Sequence, residues 1–146
     1  MNYARPWQSY QVVTTQTAPP GQLVSMLYDG VLRFLEQALN GFNFDDPLEC
    51  NQTIHNNIYR AQQILAELDA SLDLQRGGEL AQTLHRLYDY LDGRLTESNL
   101  KKQPEGIRET IQRITVLRDA WRQMLAGQTE DAAGIAPARA SLSACV

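Results

Sequence analysis

The fold of this chain is decided by the stretch Ala18-Pro19-Pro20-Gly21-Gln22-Leu23-Val24-Ser25-Met26-Leu27-Tyr28-Asp29-Gly30-Val31-Leu32-Arg33-Phe34-Leu35, closing with Ala38-Leu39. One apolar row has the three- and four-residue spacing of a helical face, and it includes Leu23, Leu27, Val31, Phe34 and Leu35. A second apolar row lies beside it: Val24, Tyr28, Leu32 and Leu39. A helix that is apolar over so much of its circumference needs partners on more than one side. It is therefore either the central helix of a bundle, or part of it awaits a partner from outside the chain.

Three further helices follow. Asp46-Pro47-Leu48-Glu49 is a strong helix start, because Asp46 suits the N-cap, Pro47 the first helical position and Glu49 a capping box. This second helix is predicted to run to about Leu72, and the third from about Glu79 to Leu100 after a glycine turn. The fourth is predicted to begin at Pro104 and to end at Gly127. No segment alternates with period two, so the sequence predicts an all-α fold, an antiparallel four-helix bundle over residues 18–127.

The two ends of the chain differ from the bundle. Residues 1–17 have no helical period, yet Tyr10, Val12 and Val13 are too apolar for a purely solvated tail. Two interpretations stay open: a frayed terminus, or an extended N-terminal arm that covers a groove of the bundle. Residues 128–146 are rich in alanine, glycine and serine, and the sequence predicts a disordered C-terminal tail there.

Charge and composition exclude several classes of function. The chain has 146 residues, with 13 basic and 17 acidic ones, so its net charge of −4 gives no general attraction to nucleic acid or anionic lipid. The arginines of the fourth helix alternate with acidic residues, which favours a solvated face with ion pairs. There is no secretory signal, no apolar run long enough for membrane insertion and no cysteine-rich framework. We expect a single domain in a reducing cytoplasm.

The sequence offers little for catalysis. Neither His55 nor His85 follows a glutamate three residues earlier, so the di-iron pattern of helical bundles is missing, and we expect His85 to pair with Asp89 one turn on. Phosphate-binding and nucleophile motifs do not occur. Asp29 is expected to cap or pair locally, and Gly30 to let another helix approach. We therefore expect no metal, no cofactor and no enzymatic activity. An apolar excess remains, and it favours either a generous core or a groove that receives a partner's helix.

Several blocks resemble the flagellin export chaperone family, FliS. The resemblance covers roughly Tyr10 to Leu125 and is most specific in Pro20-Gly21-Gln22-Leu23 and Met26-Leu27-Tyr28-Asp29-Gly30. Proline at position 19 replaces the serine that the family usually has before this block. The resemblance implies a bacterial cytoplasmic chaperone that binds the C-terminal segment of flagellin, prevents premature polymerisation and hands flagellin to the flagellar type III export gate. It also implies that the arm near Tyr10 covers the groove when flagellin is absent.

On this basis we predict the partner-binding residues among the apolar rows of the second and third helices: Ile54, Ile58, Leu65, Leu84, Leu87, Tyr88 and Leu91. The arm contacts are predicted at Tyr10, Val12 and Val13. The helical period does not separate rows that face the core from rows that face a partner, so the same seven residues are equally good core candidates. A homodimerising or scaffolding bundle without a flagellin client is the alternative function.

Overall fold

The computed structural model describes the backbone of residues 20–133 and the side chains of residues 21–128. This part of the chain consists of four helices: α1 (Pro20–Gly41), α2 (Pro47–Ala70), α3 (Gly78–Lys101) and α4 (Glu105–Ala133). Residues 20–133 contain no strand, so the prediction of an all-α bundle is confirmed. The predicted arm with Tyr10, Val12 and Val13, and residues 134–146 of the predicted tail, lie outside the described residues.

Most helix ends follow from local sequence. α1 begins at Pro20, and α2 begins after Asp46, whose side chain accepts a hydrogen bond of 3.2 Å from the Glu49 amide. α3 ends at Lys101. Its C-cap residue, Lys102, has a left-handed φ of 50° and donates its backbone amide hydrogen to the Ser98 carbonyl. The predicted end of the fourth helix at Gly127 is wrong, because α4 continues to Ala133. A glycine inside a helix costs only about 1 kcal/mol relative to alanine, and no proline follows before the helix ends.

The helices form an antiparallel ring. α1 packs against α2 and α4, and α3 packs against the same two helices from the opposite side, so α1 and α3 are diagonal. One end of the bundle, which we call the closed end, contains the last turns of α1 and α3 and the first turns of α2 and α4. The other end, called the open end, contains the first turns of α1 and α3 and the last turns of α2 and α4.

Large, fully buried side chains run through the bundle. Most of them lie in the half toward the closed end, while Val31 is near the middle and Leu65 is toward the open end; the closed-half residues are Leu35, Ile54, Ile58, Leu91, Leu95, Ile107 and Ile114. α1 and α2 approach closely at Gly30, where a Cβ atom would lie 3.0 Å from the Ile64 Cδ1 atom. This agrees with the expectation that Gly30 permits close helix contact. Toward the open end several apolar side chains are only partly buried, and they include Leu23, Val24, Leu72, Leu84 and Trp121.

None of the four described helices combines the length and the apolar character that crossing a bilayer would require.

Candidate functional site

A groove of about 300 Å³ opens into the bundle at its open end, and we call it the end groove. All four helices contribute apolar side chains to it: Val24 from α1, Leu68 from α2, Leu80 and Leu84 from α3, and Trp121 from α4; Leu72, just after the end of α2, adds another. Leu80 is 70% exposed, which is unusual for a leucine set among other apolar groups. The groove therefore presents apolar surface that the described part of the chain leaves uncovered.

The wall of the end groove on α4 is fixed to the start of α1. The Trp121 indole Nε1 donates a hydrogen bond of 2.7 Å to the Gly21 carbonyl. A Cβ atom on Gly21 would lie 2.7 Å from the Leu125 Cδ2 atom, so the absence of a side chain lets α4 lie against the first turn of α1. Because Trp121 is anchored through its polar edge, its ring is held in place as part of the groove.

An ion-pair cluster adds a second link between α1 and α4. The Asp29 carboxylate accepts hydrogen bonds from Arg118 at 3.3 Å and from Arg122 at 2.8 and 3.0 Å. The expectation that Asp29 pairs locally is therefore wrong, because its partners lie about ninety residues later in the chain. The expected solvated ion pairs of the fourth helix do occur, as in Arg113 with Glu109, but two of its arginines also hold the bundle together.

Two tyrosines that line the inner part of the end groove, which we call its floor, are hydrogen-bonded to each other through their hydroxyls. Tyr28 of α1 and Tyr88 of α3 are joined by a hydrogen bond of 2.6 Å across the diagonal of the bundle. Both residues are almost fully buried, and both line the groove. Burial raises the pKa of each phenol above its ordinary value, so both hydroxyls stay protonated at neutral pH. The pair separates the sealed core from the open end.

A second and larger cavity, of about 570 Å³, lies along α3 and α4, and we call it the seam pocket. Leu87, Val116 and Leu117 supply its apolar surface. Glu109, which also lines it, accepts hydrogen bonds from Arg94 and Tyr90 at 2.8 Å and from Arg113 at 3.2 Å. The Arg94 guanidinium, with help from the other two donors, lowers the pKa of the Glu109 carboxyl. The seam pocket therefore combines an apolar wall with a fixed charge cluster.

The outer seam between α2 and α3 is polar. His85 pairs with Asp69 at 2.7 Å, and His55 with Asn99 at 2.9 Å. The expected pairing of His85 with Asp89 is wrong, because the ring reaches across to α2 instead of along α3. Within residues 21–128, no three histidine, cysteine or acidic side chains are grouped so that they could hold a metal ion.

The structure divides the seven predicted partner-binding residues into two groups. Five have less than 4% of their surface exposed and lie in the core: Ile54, Ile58, Leu65, Tyr88 and Leu91. Leu84 and Leu87 are partly exposed and line the end groove and the seam pocket, respectively. Two of these five also line cavities: Tyr88 forms part of the end groove, and Leu65 and Tyr88 line a smaller cavity of about 150 Å³ between α2 and α3. Their contact with a partner stays a prediction.

Sequence reasoning missed the residues that make the end groove open. Leu80 and Trp121 fit the core rows of their helices, yet both line the end groove. On α4, Val116 and Met124 are also exposed, at 63% and 41%, and Val116 lines the seam pocket. One indication was present in the sequence, since α4 carries more apolar residues than one buried stripe accommodates.

This arrangement is suited to binding apolar side chains. α3 and α4 contribute to both cavities, and apolar grooves of this kind receive amphipathic helices in other proteins. Exposed leucine, valine and methionine supply the contact surface, while charged groups stand at one end of it.

Comparison with known proteins gives a consistent result. Residues 3–128 match the family model described as flagellar protein FliS. The flagellar secretion chaperone FliS of Bacillus subtilis is 34% identical over 134 residues, which cover 92% of this chain and 96% of that protein. Its counterpart in Salmonella typhimurium is 32% identical and covers 74% of this chain and 78% of its own length. The Campylobacter jejuni protein of the same name is 33% identical, with 75% and 83% covered.

Proposed function

Because the chain belongs to the FliS family, we propose that it is a flagellar secretion chaperone whose client is the C-terminal segment of flagellin. The observation that best supports this proposal is the end groove, in which the apolar surface of Leu80, Leu84 and Trp121 is accessible. The relatives are flagellar secretion chaperones by name, which supports the secretion role, and the groove supports a client with apolar side chains.

The physical demands on such a chaperone fit this surface. A client that is disordered when free loses conformational entropy when it folds on a partner, so it needs extended apolar contact in return. α3 and α4 supply side chains to both the end groove and the seam pocket, so a client that contacts both would meet apolar surface at each. Covering the client's apolar face would prevent it from packing into a filament before export.

The first turn of α1 lies at the edge of the end groove. α1 begins at Pro20, and the Gly21 carbonyl accepts a hydrogen bond from Trp121, which lines the groove. Seventeen residues in extended form reach roughly 55 Å, more than the length of α3. We propose that Tyr10, Val12 and Val13 of the arm compete with the client for the groove.

The remaining parts of the proposal concern the cell. The chaperone would work in the bacterial cytoplasm, hold flagellin unpolymerised and deliver it to the flagellar type III export gate. A homodimer would be a storage form in which a second copy, or the arm, covers the groove. No cofactor takes part in this scheme.

Gel filtration with monomeric flagellin tests the proposal. We expect a stable complex with full-length flagellin and none with flagellin that lacks its C-terminal segment. Equal complex formation with both forms would place the binding site elsewhere on flagellin. No complex with either form would favour the scaffold alternative. Removal of residues 1–17 should raise client affinity or self-association, and unchanged values for both would argue against a competing arm.

A further inference from the structure

The tyrosine pair at the floor of the end groove has more hydrogen-bond donors than it uses. A phenol hydroxyl carries one hydrogen and can also accept a bond. In the Tyr28–Tyr88 bond of 2.6 Å one hydroxyl donates and the other accepts, so the accepting hydroxyl keeps its own hydrogen. Within residues 21–128, neither hydroxyl makes another hydrogen bond. One donor of this pair is therefore uncommitted.

This donor is both buried and protonated. Tyr28 is 4% exposed and Tyr88 is 3% exposed. Because burial keeps the pKa of both phenols above the ordinary tyrosine value, neither loses its hydrogen at neutral pH. A buried donor without an acceptor is unfavourable, and native proteins rarely leave one unmatched.

The other described polar side chains that line the end groove already have hydrogen-bond partners. Among the described side chains that line it, the Trp121 indole donates to the Gly21 carbonyl, and the Ser71 hydroxyl donates to the Leu68 carbonyl at 2.6 Å. Asp73, also at the groove, accepts hydrogen bonds from two amides of the following turn. The uncommitted hydroxyl hydrogen is thus the side-chain donor that remains for an incoming molecule.

We propose that the free hydroxyl hydrogen of the Tyr28–Tyr88 pair donates to a polar side chain of the bound segment. The end groove would then select a segment in which one neutral polar residue stands among apolar ones. Most backbone carbonyls of a helical segment are already hydrogen-bonded within the helix, so we assign the acceptor to a side chain, namely asparagine, glutamine, serine or threonine. A carboxylate is excluded because its burial beside apolar walls costs too much. This inference rests on the proposed function, since the segment is that of flagellin.

The test is a calorimetric titration of the full chain with the C-terminal segment of the flagellin encoded in the same genome. The double variant Tyr28→Phe/Tyr88→Phe removes both hydroxyls together, so it leaves no orphaned partner and should fold. We expect its Kd to rise by about 2- to 13-fold, the range of one neutral hydrogen bond. Tyr59→Phe makes the same change at an exposed residue outside the groove lining and should leave the Kd unchanged.

A second set of titrations identifies the acceptor. Each polar residue of the flagellin segment is replaced in turn by an apolar residue of similar size, such as leucine for asparagine or valine for threonine. One replacement should weaken binding to the unaltered chain and have no such effect on the double phenylalanine variant, because the bond is already absent there.

The outcomes are distinguishable. Equal binding by the unaltered chain and the double variant would overturn this inference and leave the proposed function intact. A loss of affinity in the double variant that is the same for every flagellin replacement would also overturn it, since the hydroxyls would then act only on groove shape. Absence of binding by the unaltered chain would overturn the proposed function and this inference with it.

Discussion

Two leucines of α3 provide a sharp test of which surface binds the client. Leu80 and Leu91 lie on the same helix, and the sequence pattern assigns both to its apolar face. Leu80 is 70% exposed at the end groove, whereas Leu91 has no exposed surface. Replacing each by alanine removes the same atoms from two different environments, so each variant serves as the control for the other.

The structure sets the expected effects on folding. Burying a leucine completely stabilises a protein by about 1.5–3 kcal/mol, and Leu80 realises only the buried remainder of its surface, so Leu80→Ala should cost about 0.5–0.9 kcal/mol. Leu91→Ala leaves a cavity in the core, and such changes cost about 2–5 kcal/mol. Urea unfolding of the two purified variants measures this difference directly.

Client binding should show the opposite order. If the flagellin segment covers the exposed part of Leu80, that contact contributes about 1–2 kcal/mol to the binding free energy. Leu80→Ala should then raise the Kd by roughly 6- to 30-fold. Leu91→Ala should bind nearly normally, measured by calorimetry at a temperature where the variant remains folded. Normal affinity of Leu80→Ala together with a large loss in Leu91→Ala would refute the end groove and favour a bundle that opens its core to the client.

Three further predictions concern stability. Gly106→Ala should destabilise the fold by about 1–3 kcal/mol in urea unfolding, because its Cβ would clash with the Arg94 carbonyl oxygen. Gly127→Ala, with open space around it, should instead stabilise α4 by about 0.5–1 kcal/mol, and a similar effect of both would contradict the packing. Asp29→Asn should lower stability by about 0.5–1 kcal/mol at low salt and less at 1 M salt, since its arginine partners are partly exposed; an equal loss at both salt concentrations would argue against a charge effect. The lowered pKa of Glu109 gives stability that is present above the ordinary glutamate pKa and is lost as the pH falls through the lowered value. Glu109→Gln should therefore flatten the stability profile at pH values below the ordinary glutamate pKa, and an unchanged profile would remove this assignment.

The sequence was sufficient for the fold because local and global preferences agree in most places. The Asp46 cap, the prolines at helix starts and the apolar rows of α1 and α2 all specify the same four helices. The end of α4 was missed because glycine only weakens a helix, and the surrounding residues carried it on to Ala133.

The candidate site was predictable only in part. Leu84 and Leu87 were named from the sequence and do line the two cavities, but Ile54 and Ile58 have the same spacing and are buried. Period alone identifies an apolar row without showing what the row faces. That depends on how far neighbouring helices diverge, which is a property of the whole bundle. The partners of Asp29 were hidden for the same reason, since they come from a helix about ninety residues away.

The division of the bundle into a sealed end and an open end explains how one small domain can combine stability with an exposed apolar groove. The fully buried side chains of the closed half hold all four helices together, so the open half does not need to be filled. At the open end α4 is fixed to α1 through Trp121 and Asp29, whereas the start of α3 has Gly77 as its N-cap without a side-chain hydrogen bond. A side-chain cap typically stabilises a helix start by about 1 kcal/mol, and the start of α3 lacks the cap that Asp46 gives to α2. Leu80 lies in that first turn, so the most exposed leucine of the groove lining stands where α3 has no side-chain cap.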